Sequence, residues 1–221
     1  MQRVQTIYAG ASARHIGTAV REGAGALLLE RTVHVAPEYI ESFRPCPDEP
    51  AGGALSGGIR RALEQDGFIQ NGCLHAQAAE HLLMAALADS GAQALFCTEI
   101  LSATPQEGGV LVTALCLDTV REFFCERFVA AAQPPCRCYH ALIAPLDGFQ
   151  PPEGAHVFPT IDPALRILRI PAGPEKSLAQ LRQRARAVKG ARLVHLPSIC
   201  CAYAEEELGL LGALDAGEKE G

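Results

Sequence analysis

A short run of small residues near the start of the chain is followed by a carboxylate about 20 residues later, at the separation typical of ribose recognition. The run is Gly10-Ala11-Ser12-Ala13, and the carboxylate is Glu30. A turn of small residues lets a pyrophosphate approach the backbone N–H groups at the start of a helix, and the carboxylate can accept hydrogen bonds from both ribose hydroxyls. These residue types at this spacing point to dinucleotide binding.

Such a site needs a strand, a helix and a second strand to position it. Residues 4–8 favour a β-strand, and residues 14–22 favour a helix that Gly23 and Gly25 end. Residues 26–29 form an apolar run of the kind that a buried parallel strand shows. The order predicts a βαβ unit with the small-residue turn at the helix N-terminus and Glu30 at the end of the second strand.

The glycine fingerprint G-x-G-x-x-G is only partly present at this turn. Residues 8–13 read Tyr-Ala-Gly-Ala-Ser-Ala, so only the second of the three fingerprint glycines, Gly10, is present. Ala13 is a tolerated substitute at the third position, where close helix-to-strand packing is required, whereas Tyr8 is an unusual residue at the first. We therefore expect dinucleotide binding to be weakened or lost.

Composition and charge exclude several classes of protein. With 221 residues the chain is long enough for one large domain, or a domain with an appendage. A formal net charge of −6 argues against sequence-independent nucleic-acid binding, and no apolar run approaches the ~18 residues of a membrane span. Nine scattered cysteines and the lack of a signal-peptide pattern predict a cytoplasmic protein without a disulfide framework.

The rest of the chain alternates helix and strand patterns. In the first part of this region we predict a loop at 45–58, helices at 59–65 and 75–90, a strand at 92–97, and a β-ribbon from strands 110–117 and 122–131. An irregular connection is expected at 134–163. After it we predict a strand at 165–170, a helix at 175–188, a strand at 192–196, a helix at 202–211 and a frayed acidic tail at 215–221. This is an α/β fold: a Rossmann-like βαβ sheet, a small antiparallel ribbon and a shortened C-terminal α+β region. The predicted domains are residues 1–133 and 134–221.

This order of elements resembles the N-terminal half of FAD-dependent oxidoreductases of the two-dinucleotide-binding-domain type. The segments that carry the resemblance are "GALLLER", "HAQAAEHLLMAALADSGAQ", "CTEILSA" and "REFFCERFVAAA", within residues 4–133. The resemblance implies that Gly10, Ala11, Ser12 and Ala13 cradle the FAD pyrophosphate, that Glu30 holds the adenosine ribose, and that Ile100 lies against the adenine. It also implies a flavin cofactor that carries the redox chemistry.

Two departures from the family pattern leave other functions open. The strand that ends in Ala-Thr-Gly in the family ends here in residues 131–133, Ala-Ala-Gln, and family members are usually much longer. The chain is thus predicted to be an FAD-dependent oxidoreductase-like protein with weakened or lost cofactor binding, or a non-catalytic Rossmann-like subunit without cofactor. No residue pattern nominates a catalytic nucleophile.

A third hypothesis is a small metal-binding protein that uses cysteines late in the chain. Its candidate ligands are Cys136, Cys138, His140, Cys200 and Cys201. C-x-C-x-H lacks the usual C-x₂₋₄-C spacing, so the sequence assigns no metal site.

The ribbon at residues 110–129 carries an unusual number of large apolar residues. They are Leu111, Leu115, Leu117, Phe123, Phe124 and Phe128. One face of such a ribbon can pack on the core while the other stays exposed, and large exposed apolar patches tend to mark interaction surfaces. We expect a homodimer, or a complex with a second chain.

Overall fold

The computed structural model describes residues 1–130, 136–172, 177–199, 201–203 and 208–220. Its strands are β1 (Gln2–Ala9), β2 (Ala26–Leu29), β3 (Ile69–Gln70), β4 (Cys73–Leu74), β5 (Gln93–Leu95), β6 (Thr98–Gln106), β7 (Gly109–Cys116), β8 (Thr119–Val129), β9 (Cys136–Pro145), β10 (His156–Pro159), β11 (Arg166–Ala172), β12 (Ala191–His195) and β13 (Cys201–Tyr203). Its α-helices are α1 (Ala13–Glu22), α2 (Pro37–Ile40), α3 (Ala54–Gln65), α4 (Glu80–Ser90), α5 (Leu178–Arg186) and α6 (Leu210–Lys219).

The main sheet has six strands in the order β5-β2-β1-β8-β7-β6. β1 pairs in parallel with β2 on one side and with β8 on the other, and β2 pairs in parallel with β5. β7 and β6 continue the sheet in antiparallel fashion. The Rossmann-like α/β fold predicted from the sequence is confirmed, but β8 is a central strand of the sheet as well as part of the ribbon.

Two clusters of apolar side chains cover the two faces of this sheet. On the first face, Tyr8 and Leu28 pack with residues of α1 and α4 such as Ile16 and Leu83. On the second face, Ile7 and the alternate residues of β2 pack with Phe123 and its neighbours on β7 and β8. The βαβ unit therefore buries both sides of β1 and β2, which explains the continuous apolar run at 26–29.

A second, antiparallel sheet has the order β10-β11-β9-β12, with β13 also paired to β9. Alternate residues of β9, such as Tyr139, Ala141 and Ile143, pack against Leu181 of α5 in a separate core. The irregular connection predicted for 134–163 is therefore wrong, because β9 and β10 lie within it. The period-2 pattern of β9 went unrecognised beside the Pro- and Gly-rich segment that follows it.

The C-terminal prediction is also wrong. Residues 201–203 form β13, and the segment expected to be a frayed acidic tail forms α6, which packs on α1 and α3. Asp215 on α6 accepts hydrogen bonds from the backbone N–H groups of Gly52 (2.7 Å) and Gly53 (2.9 Å) and from the Ser56 hydroxyl. The acidic residue satisfies the N-terminus of α3 instead of lying in solvent.

Two further boundaries differ from the predictions. α3 begins at Ala54, inside the predicted loop 45–58, because its first turn is capped by α6. The predicted domain boundary between residues 133 and 134 lies outside the described residues. The longest helix in the described ranges, α3, has 12 residues, and none of those helices is long and apolar enough to cross a membrane.

Candidate functional site

The small-residue turn connects the end of β1 to the start of α1. Gly10 has φ +96°, in the left-handed region that favours glycine, and its N–H donates to the Leu29 carbonyl of β2 (2.8 Å). Ala11 and Ala13 are fully buried. The one fingerprint glycine that the sequence keeps therefore stands where the backbone conformation requires it.

Glu30 lies directly against this turn. Its Oε2 accepts the Ala11 N–H (2.7 Å), and its Oε1 accepts the Thr32 N–H (2.7 Å). The backbone of Glu30 is tied to the end of β5 and the start of β6, since its N–H donates to the Leu95 carbonyl and its carbonyl accepts the Thr98 N–H. The fold thus brings Glu30 and the Gly10 turn together at the carboxyl edge of the parallel strands, where α/β sheets bind ligands.

The N-terminus of α1 is occupied by a carboxyl group that the sequence reading missed. Ser12 caps the helix by accepting the His15 N–H, and the Ala13 N–H donates to Glu38 Oε1 (2.7 Å). Glu38 is partly buried, and desolvation raises the pKa of its carboxyl to about 7. An acidic side chain of the chain itself therefore sits where a helix N-terminus attracts anions.

Glu38 reaches this place because the chain folds back after β2. The Ala36 N–H donates to the Ala11 carbonyl (2.7 Å), and Pro37 starts the short helix α2 that carries Glu38. Pro37-Glu38 is a typical start of a helix, and it is the sequence signal that indicates α2. Because α2 has only four residues, no helical periodicity can be recognised in it.

Tyr8, the unusual residue at the first fingerprint position, is buried on the α1 side of the sheet. Its ring centroid lies 5.2 Å from that of His15, and Arg127 donates to its hydroxyl (3.1 Å). Burial and the nearby Glu22 carboxylate raise the pKa of the hydroxyl. Tyr8 thus has a packing role beneath the first turn of α1.

The structure does not bring every predicted site residue to the turn. Ile100, on β6, packs against the apolar cluster of the second sheet face, so its contact with an adenine stays a prediction. Residues 131–133, and Cys200 of the metal hypothesis, lie outside the described residues. His140 is fully buried, with Nδ1 3.0 Å from the Ser42 carbonyl oxygen. Among the side chains that the structure describes, no three His, Cys, Asp or Glu residues are grouped to hold a metal ion.

A cleft of about 270 Å³ lies between the second sheet and two segments from the first half of the chain, residues 39–46 and 73–77. Residues from the segment after α2, from β4 and from β10 and β11 line it, among them Phe43, Arg44, His75, Pro159 and Ile167. The Arg44 guanidinium stacks over the Tyr39 ring at 5.1 Å, so the wall combines aromatic, apolar and cationic groups. This volume lies just below the roughly 300 Å³ at which ligand pockets usually begin, so the cleft suits only a small organic molecule.

Comparisons with known proteins resolve the fold but not the sequence family. No protein-family model matches the chain, and no curated protein matches its sequence. The p-nitrophenol 4-monooxygenase of Pseudomonas putida aligns with a TM-score of 0.59 at 14% identity, over 99% of this chain and 78% of that chain. Aklavinone-11 hydroxylase, solved as a ternary complex with FAD and aklavinone, aligns with a TM-score of 0.61 at 16% identity, over 89% of this chain and 53% of that chain.

A third solved structure gives the same result. The geranylgeranyl bacteriochlorophyll reductase-like protein of Thermoplasma acidophilum aligns with a TM-score of 0.59 at 11% identity, over 99% of this chain and 77% of that chain. Likeness at these identities concerns the fold alone. The chain has the FAD-dependent oxidoreductase-type fold that the sequence resemblance predicted.

Proposed function

We propose that the protein is an FAD-dependent oxidoreductase, in which a bound flavin carries out redox chemistry on a small substrate. The observation that carries this proposal is the placement of Glu30 against the Gly10 turn, at the carboxyl edge of the parallel strands. Fold likeness to an FAD-bound hydroxylase supports it but does not deliver function by itself. In this assignment the adenosine end of FAD lies at Glu30.

The Glu30 carboxylate has the capacity for this role. A carboxylate offers about four acceptor positions, and the Ala11 and Thr32 N–H groups use one on each oxygen. The remaining positions suffice for the two ribose hydroxyls, while the two backbone donors hold the carboxylate in a fixed orientation. Glu30 would bind and orient the ribose. Gly10, which has no side chain, would let the cofactor approach the backbone of the turn closely.

The pyrophosphate side of the site does not fit the cofactor in this conformation. The Ala13 N–H is taken by Glu38, and the hydrogen bond from the Ala36 N–H to the Ala11 carbonyl holds the segment that carries Glu38 against the turn. This observation favours the second candidate function, a Rossmann-like subunit without cofactor. We keep that candidate as the alternative and derive no catalytic step through the flavin.

The substrate site belongs to the same proposal. The cleft beside the second sheet is lined by Tyr39 and Phe43, which belong to or follow the segment that covers the turn, and it has both apolar walls and the Arg44 cation. We propose that a small substrate binds there, in a cytoplasmic protein, as the scattered cysteines suggest.

The absorption spectrum of the protein after incubation with excess FAD and removal of free cofactor tests the proposal. We expect the visible bands of a bound flavin at less than one flavin per chain, because Glu38 competes for part of the site. FAD that leaves the melting temperature unchanged, together with a colourless protein, would favour the cofactor-free subunit instead.

We also propose that the chain associates through the ribbon of β7 and β8, as a homodimer or with a second chain. Leu117, between these strands, is 74% exposed, and Val120 is 58% exposed. Light scattering at micromolar concentration should give the mass of two chains, and Leu117→Ser should lower it because it removes apolar contact area. Leu146, 60% exposed outside the ribbon, is the matched control as Leu146→Ser. A single-chain mass for the parent protein would rule out the homodimer.

A further inference from the structure

We propose that Glu38 is an internal occupant of the cofactor site, so that a dinucleotide binds only when residues 36–42 withdraw from the N-terminus of α1. The inference rests on the proposed function, since it concerns how FAD enters the same site. It accounts for a carboxyl group that the fold places against the residues predicted to cradle a pyrophosphate.

The geometry of the contact supports this competition. Ala13 is the first residue of α1, so its N–H has no partner within the helix and is one of the donors that anions take at helix N-termini. Glu38 Oε1 accepts this N–H at 2.7 Å. A pyrophosphate and the Glu38 carboxyl group cannot both take the same donor at this distance.

The segment that carries Glu38 is held by packing but has strained ends. Ala36, Tyr39 and Ile40 are buried in the main core, and the Tyr39 hydroxyl donates to the Leu208 carbonyl (2.7 Å). Ala36 (φ +43°) and Phe43 (φ +55°) adopt left-handed backbone conformations that side-chain-bearing residues rarely take. Withdrawal of residues 36–42 would give up this burial and relieve the strain at Ala36 and Phe43, so the two effects oppose each other.

The charges around Glu38 set its protonation. Desolvation is the main cause of the raised pKa of the Glu38 carboxyl, and the nearby Glu30 carboxylate raises this pKa further. The hydrogen bond from the Ala13 N–H and the charge of Arg44 lower it. The result, about 7, compares with an ordinary value of 4.5. Glu38 is therefore protonated in part of the molecules at neutral pH while it occupies the site.

The direction of the pH effect follows from this difference. Once withdrawn into solvent, Glu38 regains its ordinary pKa, so the protonated form favours the occupied site and the ionised form favours withdrawal. FAD binding should release a proton, and FAD affinity should rise with pH between the two pKa values. For these values the expected gain from pH 6 to pH 8 is about tenfold.

Calorimetric titration of FAD at pH 6 and pH 8 tests the proposal on the parent chain, Glu38→Ala and Glu38→Gln. The parent should gain about tenfold in affinity between the two pH values and, at pH 6, release close to one proton, measured from buffers of different ionisation enthalpy. Glu38→Ala should bind more tightly than the parent at pH 6, because the competing side chain is gone, and should show little pH dependence. Glu38→Gln keeps a neutral acceptor for Ala13, so it should bind weakly at both pH values.

The variants also separate Glu38 from other titrating groups near the turn. His15, whose Nδ1 lies 3.0 Å from the Gly10 carbonyl oxygen, is unchanged in all three proteins, so a shared pH dependence would belong to it. Equal affinity and equal proton release in the three proteins would overturn the inference and leave the proposed function standing. Failure of all three to bind FAD at millimolar concentration would refute the proposed function, and the inference with it.

Discussion

Glu30→Ala should lower both FAD affinity and the stability of the protein without FAD. The substitution leaves the Ala11 and Thr32 N–H groups without the acceptors that they have in the structure, at a site where Glu30 is 5% exposed. Unsatisfied buried donors cost about 1–3 kcal/mol each, so for the two donors we expect a loss of about 2–6 kcal/mol in the free energy of unfolding. FAD binding should weaken by about 1.5–3 kcal/mol through the lost ribose contacts.

Urea unfolding without FAD and fluorescence titration with FAD measure the two effects separately. Glu99→Ala is the matched control, because Glu99 is an exposed carboxylate on the edge strand β6. It should change neither quantity by more than about 0.5 kcal/mol. If Glu30→Ala retains the parent's FAD affinity in its folded form, the ribose assignment is wrong; if it retains the parent's stability, the two backbone hydrogen bonds are not formed.

Gly217→Ala should destabilise the protein strongly, because α1 and α6 touch through glycines. A Cβ at Gly217 would lie 2.0 Å from the Arg14 carbonyl oxygen and 3.0 Å from the Thr18 nitrogen, both backbone atoms of α1. The reciprocal position is as tight, since a Cβ at Gly17 would lie 2.3 Å from the Leu214 carbonyl oxygen. Separating the helices costs about 3 kcal/mol or more, well above the helix-propensity gain of about 1 kcal/mol.

Gly58→Ala provides the opposite control. Gly58 lies inside α3, and a Cβ there would meet no atom within 4 Å, so the substitution should stabilise the protein by about 0.5–1 kcal/mol. Thermal and urea unfolding of both variants measure the difference. A Gly217→Ala protein as stable as the parent would mean that α6 does not pack on α1 as described.

The elements that can be predicted from the sequence are those whose signals lie close together along the chain. The opening βαβ unit was recognisable because a buried apolar run, a capped helix and the Gly10 turn lie within 30 residues, and the structure has β2 at the predicted residues. Glu30 was found by its spacing from Gly10. Its contact with Ala11 then follows from the fold, since strand ends meet at one edge of a sheet.

The parts that were missed depend on contacts between distant segments. Asp215 looked like tail charge in the sequence, and its role appears only when α6 reaches Gly52 and Gly53 more than 160 residues earlier in the chain. The residues around Glu38 show no helix or strand periodicity. Its position depends on the hydrogen bond from the Ala36 N–H to the Ala11 carbonyl, a contact between two separate segments. Local pattern carries no information about such partners.

The most direct test of this account is an experimental structure of the protein prepared with saturating FAD. We expect the adenosine ribose within hydrogen-bonding distance of Glu30, the pyrophosphate at the Ala13 N–H, and Glu38 withdrawn from that N–H. A nucleotide bound elsewhere, or a site in which Glu38 still accepts the Ala13 N–H under saturating FAD, would contradict it.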